Sequence, residues 1–363
     1  MYLLRFLHGK AKSTFWYSIG IFLAIALLVE VGSTLILFYK HKDEMWFYFN
    51  TAGMSSTQIL LYQICLTRGA CEVKTKSKIT YTPGHPFGVD DSVGYHLEPG
   101  RYEVMYEKKH SQNQTDVFKH IVRINGDGTR YVGEHAESAS KQIYILGDSF
   151  VFGEGVNDEQ TFSYLLQGKF KNYKVKNLAV SGYGTVQAYL QFRRIKHAIL
   201  PEDLVILGYA DWHKERNVAA PSRLRQYGEP SSVLGEGAKH PKASIRDDGT
   251  LRIDLIPIYC KFNRDYCAQR DPSKEEMDDV TKKLLGDMAK DVQGLIAVLH
   301  FAGPKSDPVL TALPPNVRVI PATNADFDYK IDDTIMEFDH HPGPFWHYAM
   351  YSQIASWISA NYH

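Results

Sequence analysis

The spacing of apolar residues changes character along the chain. From residue 140 onward, short continuous apolar runs recur: QIYILG (142–147), YKVKNLAV (173–180), DLVILGYA (203–210), LIAVLHFA (295–302) and VRVIPA (317–322). Runs of this length predict strands buried on both faces. Between them the period lengthens to that of a helix. Phe162, Leu165, Leu166 and Phe170 make one such stripe, and Met277, Val280, Leu284 and Met288 another. The second follows a capping-box pair, Ser273 and Glu276. Strands alternating with helices predict a parallel sheet covered on both faces, a three-layer α/β/α domain over 140–363. The stripes are read as core faces of that domain. Residues 212–270 interrupt the alternation with Pro, Gly and charge, and ASIRDDGTLRIDL reads as a hairpin turning at Asp248-Gly249. Such an insertion at the carboxyl end of a strand borders the crevice where open α/β sheets bind ligands.

Upstream, the period is two. Tyr102, Val104 and Tyr106 alternate with polar neighbours, and IVRINGDGTRYV has two strand-like arms around Gly126-Asp127-Gly128. Residues 39–139 are therefore expected to be a juxtamembrane segment followed by a small β-rich subdomain. The word juxtamembrane rests on a third pattern, the apolar segment 15–38. A helix crosses a hydrocarbon core with roughly 20 residues. Trp16 and Tyr17 mark one edge of the segment and Phe38 and Tyr39 the other, as interfacial aromatic belts do. Arg5, Lys10 and Lys12 precede it, whereas Lys40 and Lys42 are followed by Asp43 and Glu44. This asymmetry puts residues 1–14 in the cytoplasm and everything after the span outside it. A cleaved signal peptide ending near VGS stays open as an alternative. The anchor is preferred because apolar sequence resumes at Leu35 and no A-x-A site follows.

Charge narrows the partners. Lys plus Arg and Asp plus Glu both total 41, and no long basic run appears, so nucleic acid is not an expected partner. The cysteines fall as two local couples, Cys65 with Cys71 and Cys260 with Cys267, neither with C-x-x-C spacing. Outside the cytoplasm they read as two disulfides closing short loops; four buried free thiols are the alternative.

Three loops carry candidate chemistry. In YILGDSFVFGEGV, Ser149 follows the first strand directly, where an α/β crevice opens. Either it is a nucleophile, or Ser149 or Asp148 caps the next helix. In NLAVSGYGTVQ, Gly182 and Gly184 allow close backbone approach, so a glycine N–H is available to an oxyanion. Near the C-terminus, EFDHHPGPFWHYAMYSQIASWI places Asp339 and His341 one residue apart on a Pro- and Gly-bounded loop. There the carboxylate can orient the imidazole toward a serine. His347 is read as structural.

Taken together, these loops resemble the SGNH or GDSL-type esterases and lipases. GDSF matches that family's first block, NLAVSG its second and DHHPGPFWH the D-x-H-P form of its last, over roughly residues 140–360. The resemblance implies a flavodoxin-like α/β/α fold, Ser149 as nucleophile, Asp339 and His341 completing a triad, and the N–H groups of Ser149 and Gly182 as oxyanion donors. One block departs from the pattern. Where the family reads G-x-N-D, this chain reads LGYAD, so Ala210 occupies the place of the oxyanion-hole asparagine while Asp211 is retained. Losing one such donor typically costs about a hundred- to a thousandfold in turnover. ADWHKERN offers His213, Arg216 and Asn217 as substitutes, with Asn217 the best mimic of the missing amide. His213 and Glu215 lack partners for a metal, and that segment is read as a solvated loop. The expectation is a membrane-anchored serine ester hydrolase facing the extracytoplasmic side, acting on a small-molecule, glycan or lipid ester without metal or organic cofactor. An O-acyltransferase using the same triad, and a non-catalytic binding protein on the same scaffold, are the alternatives.

Overall fold

The computed structural model describes residues 78–109, 115–227, 234–302, 307–311, 313–321 and 341–362. The apolar segment 15–38, the Cys65 and Cys71 couple, Asp339 and His340 lie outside the described residues. Among the described residues, no helix is long and apolar enough to cross a membrane.

The two-residue period upstream produces antiparallel sheet. Strands β1 (Lys78–Thr82), β4 (Gly100–Lys109) and β5 (Thr115–Ile124) pair in the order β1-β4-β5, beside a separate hairpin of β2 (Phe87–Asp90) and β3 (Gly94–Leu97). On β4, Tyr102, Val104 and Tyr106 are buried, while Glu103 and Glu107 point the other way and meet Lys119 at 2.8 Å and Lys78 at 3.7 Å. The expected second arm after Gly126-Asp127-Gly128 is not a full strand. Asn125 N donates to Thr129 O at 2.8 Å to close the turn, and Arg130 N then donates to Asn177 O at 2.9 Å. The chain has by then left the meander and joined the edge of the next sheet.

All five apolar runs form that second sheet. β6 (Lys141–Leu146), β7 (Tyr173–Asn177), β8 (Leu204–Ala210), β11 (Leu295–Ala302) and β12 (Val317–Pro321) are parallel, in the order β12-β11-β8-β6-β7. Numbered within the sheet, this is the flavodoxin-like order 2-1-3-4-5. Alternate residues feed two cores. Ile143, Ile145, Leu204, Ile206, Ala297 and Leu299 face one, and Tyr144, Leu146, Val205, Leu207, Ile296 and Val298 the other.

Helices close each face with the stripes seen in the sequence. The first core receives Phe162 and Leu166 from the helix Phe162–Lys169, and Met350, Ile354 and Ile358 from the helix Pro344–Asn361. The second receives Val186 and Phe192 from Thr185–Ile195, and Val280, Leu284 and Met288 from Lys274–Asp291. The first core also takes in Tyr95, Val104 and Tyr106, so the β-rich region packs continuously with the α/β layers.

The insertion contains short helices His213–Asn217 and Pro221–Gln226, then β9 (Lys239–Ile245) and β10 (Leu251–Pro257), which form the expected hairpin. Asp248 stabilises its turn by accepting from Thr250 N at 2.9 Å. A disulfide joins Cys260 and Cys267.

Candidate active site

Strand β6 ends at Leu146, and the chain turns at once into a single-turn helix, Ser149–Phe152. Of the two residues offered as a cap, one takes that role. Asp148 is the cap, its carboxylate accepting from Phe150 N at 3.1 Å. Ser149 is the first helical residue, where the N–H has no intrahelical acceptor. The turn ends on Gly153 at φ 90°, where a Cβ would meet Arg130 Nη1 at 2.8 Å. Arg130 is fully buried and holds the loop that follows. Its Nη1 donates to Phe152 O at 2.7 Å and to Gly153 O, its Nη2 to Val156 O at 2.6 Å, and its Nε to Asp158 Oδ1 at 3.1 Å. No local motif marks Arg130, since its role depends on the β-rich linker reaching the edge of the parallel sheet.

A cavity of about 280 Å³ opens beside this turn, and Ser149, Gly182 and His341 all line it. Gly182 follows β7 with φ 85°, and a Cβ there would lie 2.6 Å from Tyr95 Oη, so both conformation and space demand glycine. The His341 ring centroid is 5.6 Å from that of Phe150, the residue after Ser149. Trp346, buried at the start of the last long helix, packs edge-on against the same phenylalanine and ties that loop to the Ser149 turn. Glu154 lines the cavity too, fixed by Tyr106 Oη at 2.8 Å and Ser181 Oγ at 2.6 Å. Ile79, Tyr81, Phe87 and Tyr95 make an apolar wall, which gives the β-rich region a part in the site.

The segment read as a solvated loop is instead a buried helix. His213, Lys214, Arg216 and Asn217 are all buried because the charges among them are matched within the fold. Lys214 Nζ lies 2.8 to 2.9 Å from carboxylates of Asp211, Asp278 and Asp307. Asp148 Oδ2 accepts from Trp212 Nε1 at 2.9 Å and Arg216 Nη1 at 3.0 Å, and His213 Nε2 lies 3.2 Å away. Burial pushes the pKa of Asp148 up, but these three partners outweigh it and hold the carboxyl well below its usual range. Burial also pushes His213 below its ordinary value despite the carboxylate. The other ring nitrogen of His213, Nδ1, is 3.3 Å from Thr185 Oγ1.

Asn217 does not take the place of the missing asparagine. Its Oδ1 accepts from Val186 N at 2.8 Å and its Nδ2 donates to Thr281 Oγ1 at 2.9 Å, so the amide is consumed in fastening two helices. Its neighbour Arg216 lines the cavity instead. Arg216 Nη1 also donates to Tyr183 O at 2.7 Å, so the guanidinium spans from the residue before Ser149 to the residue after Gly182, and its Nε is buried without an acceptor. Ala210 is fully buried at the end of β8. His347 is structural as read: it is fully buried, stacks on Phe162, and burial lowers its pKa to about 3. Among the described residues no group of His, Cys, Asp and Glu is arranged to hold a metal ion.

Comparison with known proteins gives remote structural likeness only. The chain is similar to a member of the lipolytic G-D-S-L family from Veillonella parvula DSM 2008, with TM-score 0.35 and 11% identity over 61% of this chain and 99% of that one. It is also similar to the psychrotrophic esterase EstA from Pseudoalteromonas sp., with TM-score 0.33 and 14% identity over 61% of this chain and all of that one. TesA matches with TM-score 0.33 and 12% identity, over 60% of this chain and 98% of that one. No protein-family model and no curated protein matches the chain.

Proposed function

We propose that this chain is a serine ester hydrolase. The observation that carries the reading is the convergence of Ser149, Gly182 and His341 on one cavity, from three loops far apart in sequence. In this reading His341 takes the proton from Ser149 Oγ as the oxygen attacks the ester carbonyl, and Asp339 orients the imidazole. The tetrahedral oxyanion is held by the N–H groups of Ser149 and Gly182, with the Arg216 guanidinium as third donor in place of the absent asparagine. His341 then protonates the departing alcohol, and a water activated by the same histidine releases the acid. The segment 15–38 anchors the enzyme in a membrane, and the hydrolase domain lies outside the cytoplasm. The Cys260–Cys267 disulfide supports that side, since disulfides persist in oxidising compartments.

Active-site labelling tests the reading. A fluorophosphonate probe is expected to label the wild-type protein and not Ser149→Ala. Against p-nitrophenyl butyrate, His341→Ala should lose about a thousandfold or more in kcat, while His340→Ala keeps most of it. Equal weak labelling of wild type and a folded Ser149→Ala would leave a non-catalytic binding protein as the account.

A further inference from the structure

With Arg216 engaged beside the nucleophile, the cavity still holds a second guanidinium. Arg223, on the helix Pro221–Gln226, lines the same cavity. Its Nη1 donates to Gln226 Oε1 at 2.7 Å, its Nε is buried without an acceptor, and it makes no ion pair among the described residues. Tyr227 lies beneath it, with the guanidinium carbon 5.4 Å from the ring centroid, and the tyrosine hydroxyl is also buried without a partner. Two buried donors with nothing to bind thus belong to residues lining a cavity that Arg216 also lines.

Unmatched buried donors are destabilising, and neighbouring guanidinium groups repel one another; Arg216 is lowered by burial first and by Arg223 next. Glu215 attracts Arg223 through space but makes no ion pair with it among the described residues, and the carboxylates nearer the serine are engaged elsewhere. Asp148 already accepts from Phe150 N, Trp212 and Arg216, and Glu154 accepts from Tyr106 and Ser181. We propose that Arg223 and Tyr227 form a subsite for an anionic group, a carboxylate or phosphate, carried by the ester substrate, with Ile79, Tyr81 and Phe87 receiving its apolar part. The inference rests on the hydrolase reading of the same cavity. A guanidinium and a phenol side by side suit an oxyanion with several lone pairs. An ester whose non-reacting end is anionic then gains binding energy that a neutral one lacks.

Matched ester pairs test this with the full chain purified in detergent. p-Nitrophenyl hemisuccinate against p-nitrophenyl butyrate puts the anion on the acyl side, and meta-acetoxybenzoate against its methyl ester puts it on the alcohol side. In one pair kcat/KM should favour the anionic member by about tenfold or more. Arg223→Gln should bring that ratio close to one, and Arg223→Lys should recover part of it. A wild-type ratio at or below one in both pairs overturns the subsite, as does a preference that Arg223→Gln leaves intact. Calorimetric binding of glutarate and meta-hydroxybenzoate to Ser149→Ala separates this inference from the hydrolase reading. If no ester is turned over yet one anion binds and Arg223→Gln abolishes that binding, the subsite stands and the hydrolase reading falls. If no ester is turned over and neither anion binds, both fall.

Discussion

Asp148 shows how much one side chain next to Ser149 carries. It caps the turn through Phe150 N, neutralises the buried Arg216 and lies against His213. Removing one partner of a buried ion pair leaves the other charge uncompensated, which costs about 3–5 kcal/mol. Asp148→Asn is therefore expected to lower stability by that order in urea unfolding, and to reduce esterase activity further, because Arg216 loses the contact that positions it. The side chains that carry this chemistry are not equally legible in the sequence. Ser149 is legible because its place is local, at the end of a buried strand. Arg216 and Asn217 cannot be told apart in the same way. Adjacent helical residues point about 100° apart, at 3.6 residues per turn, so only the helix orientation decides which one meets the cavity.

Among the elements, the helix Lys274–Asp291 is almost wholly legible. Ser273 Oγ accepts from Glu276 N at 3.1 Å, and Val280, Leu284 and Met288 are buried as their spacing implies. Replacing such a cap with alanine costs about 1 kcal/mol. Ser273→Ala is expected to lower the urea midpoint accordingly and to leave ester turnover unchanged, with Ser273→Asp restoring stability. The helix His213–Asn217 misleads because its charged composition suggests solvent. Its charges are buried only because Asp148, Asp278 and Asp307 arrive from distant parts of the chain. The same reason applies to Arg130, which reads as part of a strand yet braces the loop after the Ser149 turn.

At the scale of the whole molecule, buried histidines set an acid limit. Burial lowers His120 and His347 to about 3 and His240 to about 4. Unfolded, each binds a proton near pH 6.5. Between about pH 6.5 and 3 the unfolded chain therefore binds more protons, and stability falls as the pH falls through that window. The Tm is expected to drop steadily from pH 7 to pH 4. His120 stacks against both Tyr106 and Phe118, and neither ring nitrogen has a partner. His120→Phe should flatten the pH dependence and raise Tm at acid pH, the difference growing as pH decreases.

Properties set by neighbours along the chain are written in the sequence itself. The five buried strands, the helical stripes, the hairpin at Asp248-Gly249 and the turn bearing Ser149 all follow from periodicity and turn chemistry, which act over a few residues. Tertiary structure alone decides that Tyr81, Phe87 and Tyr95 wall the cavity, that Asn217 fastens two helices and that Arg216 and Arg223 line the same cavity as Ser149. Those placements depend on which charges and donors find partners across the fold, and burial makes every unpartnered one costly.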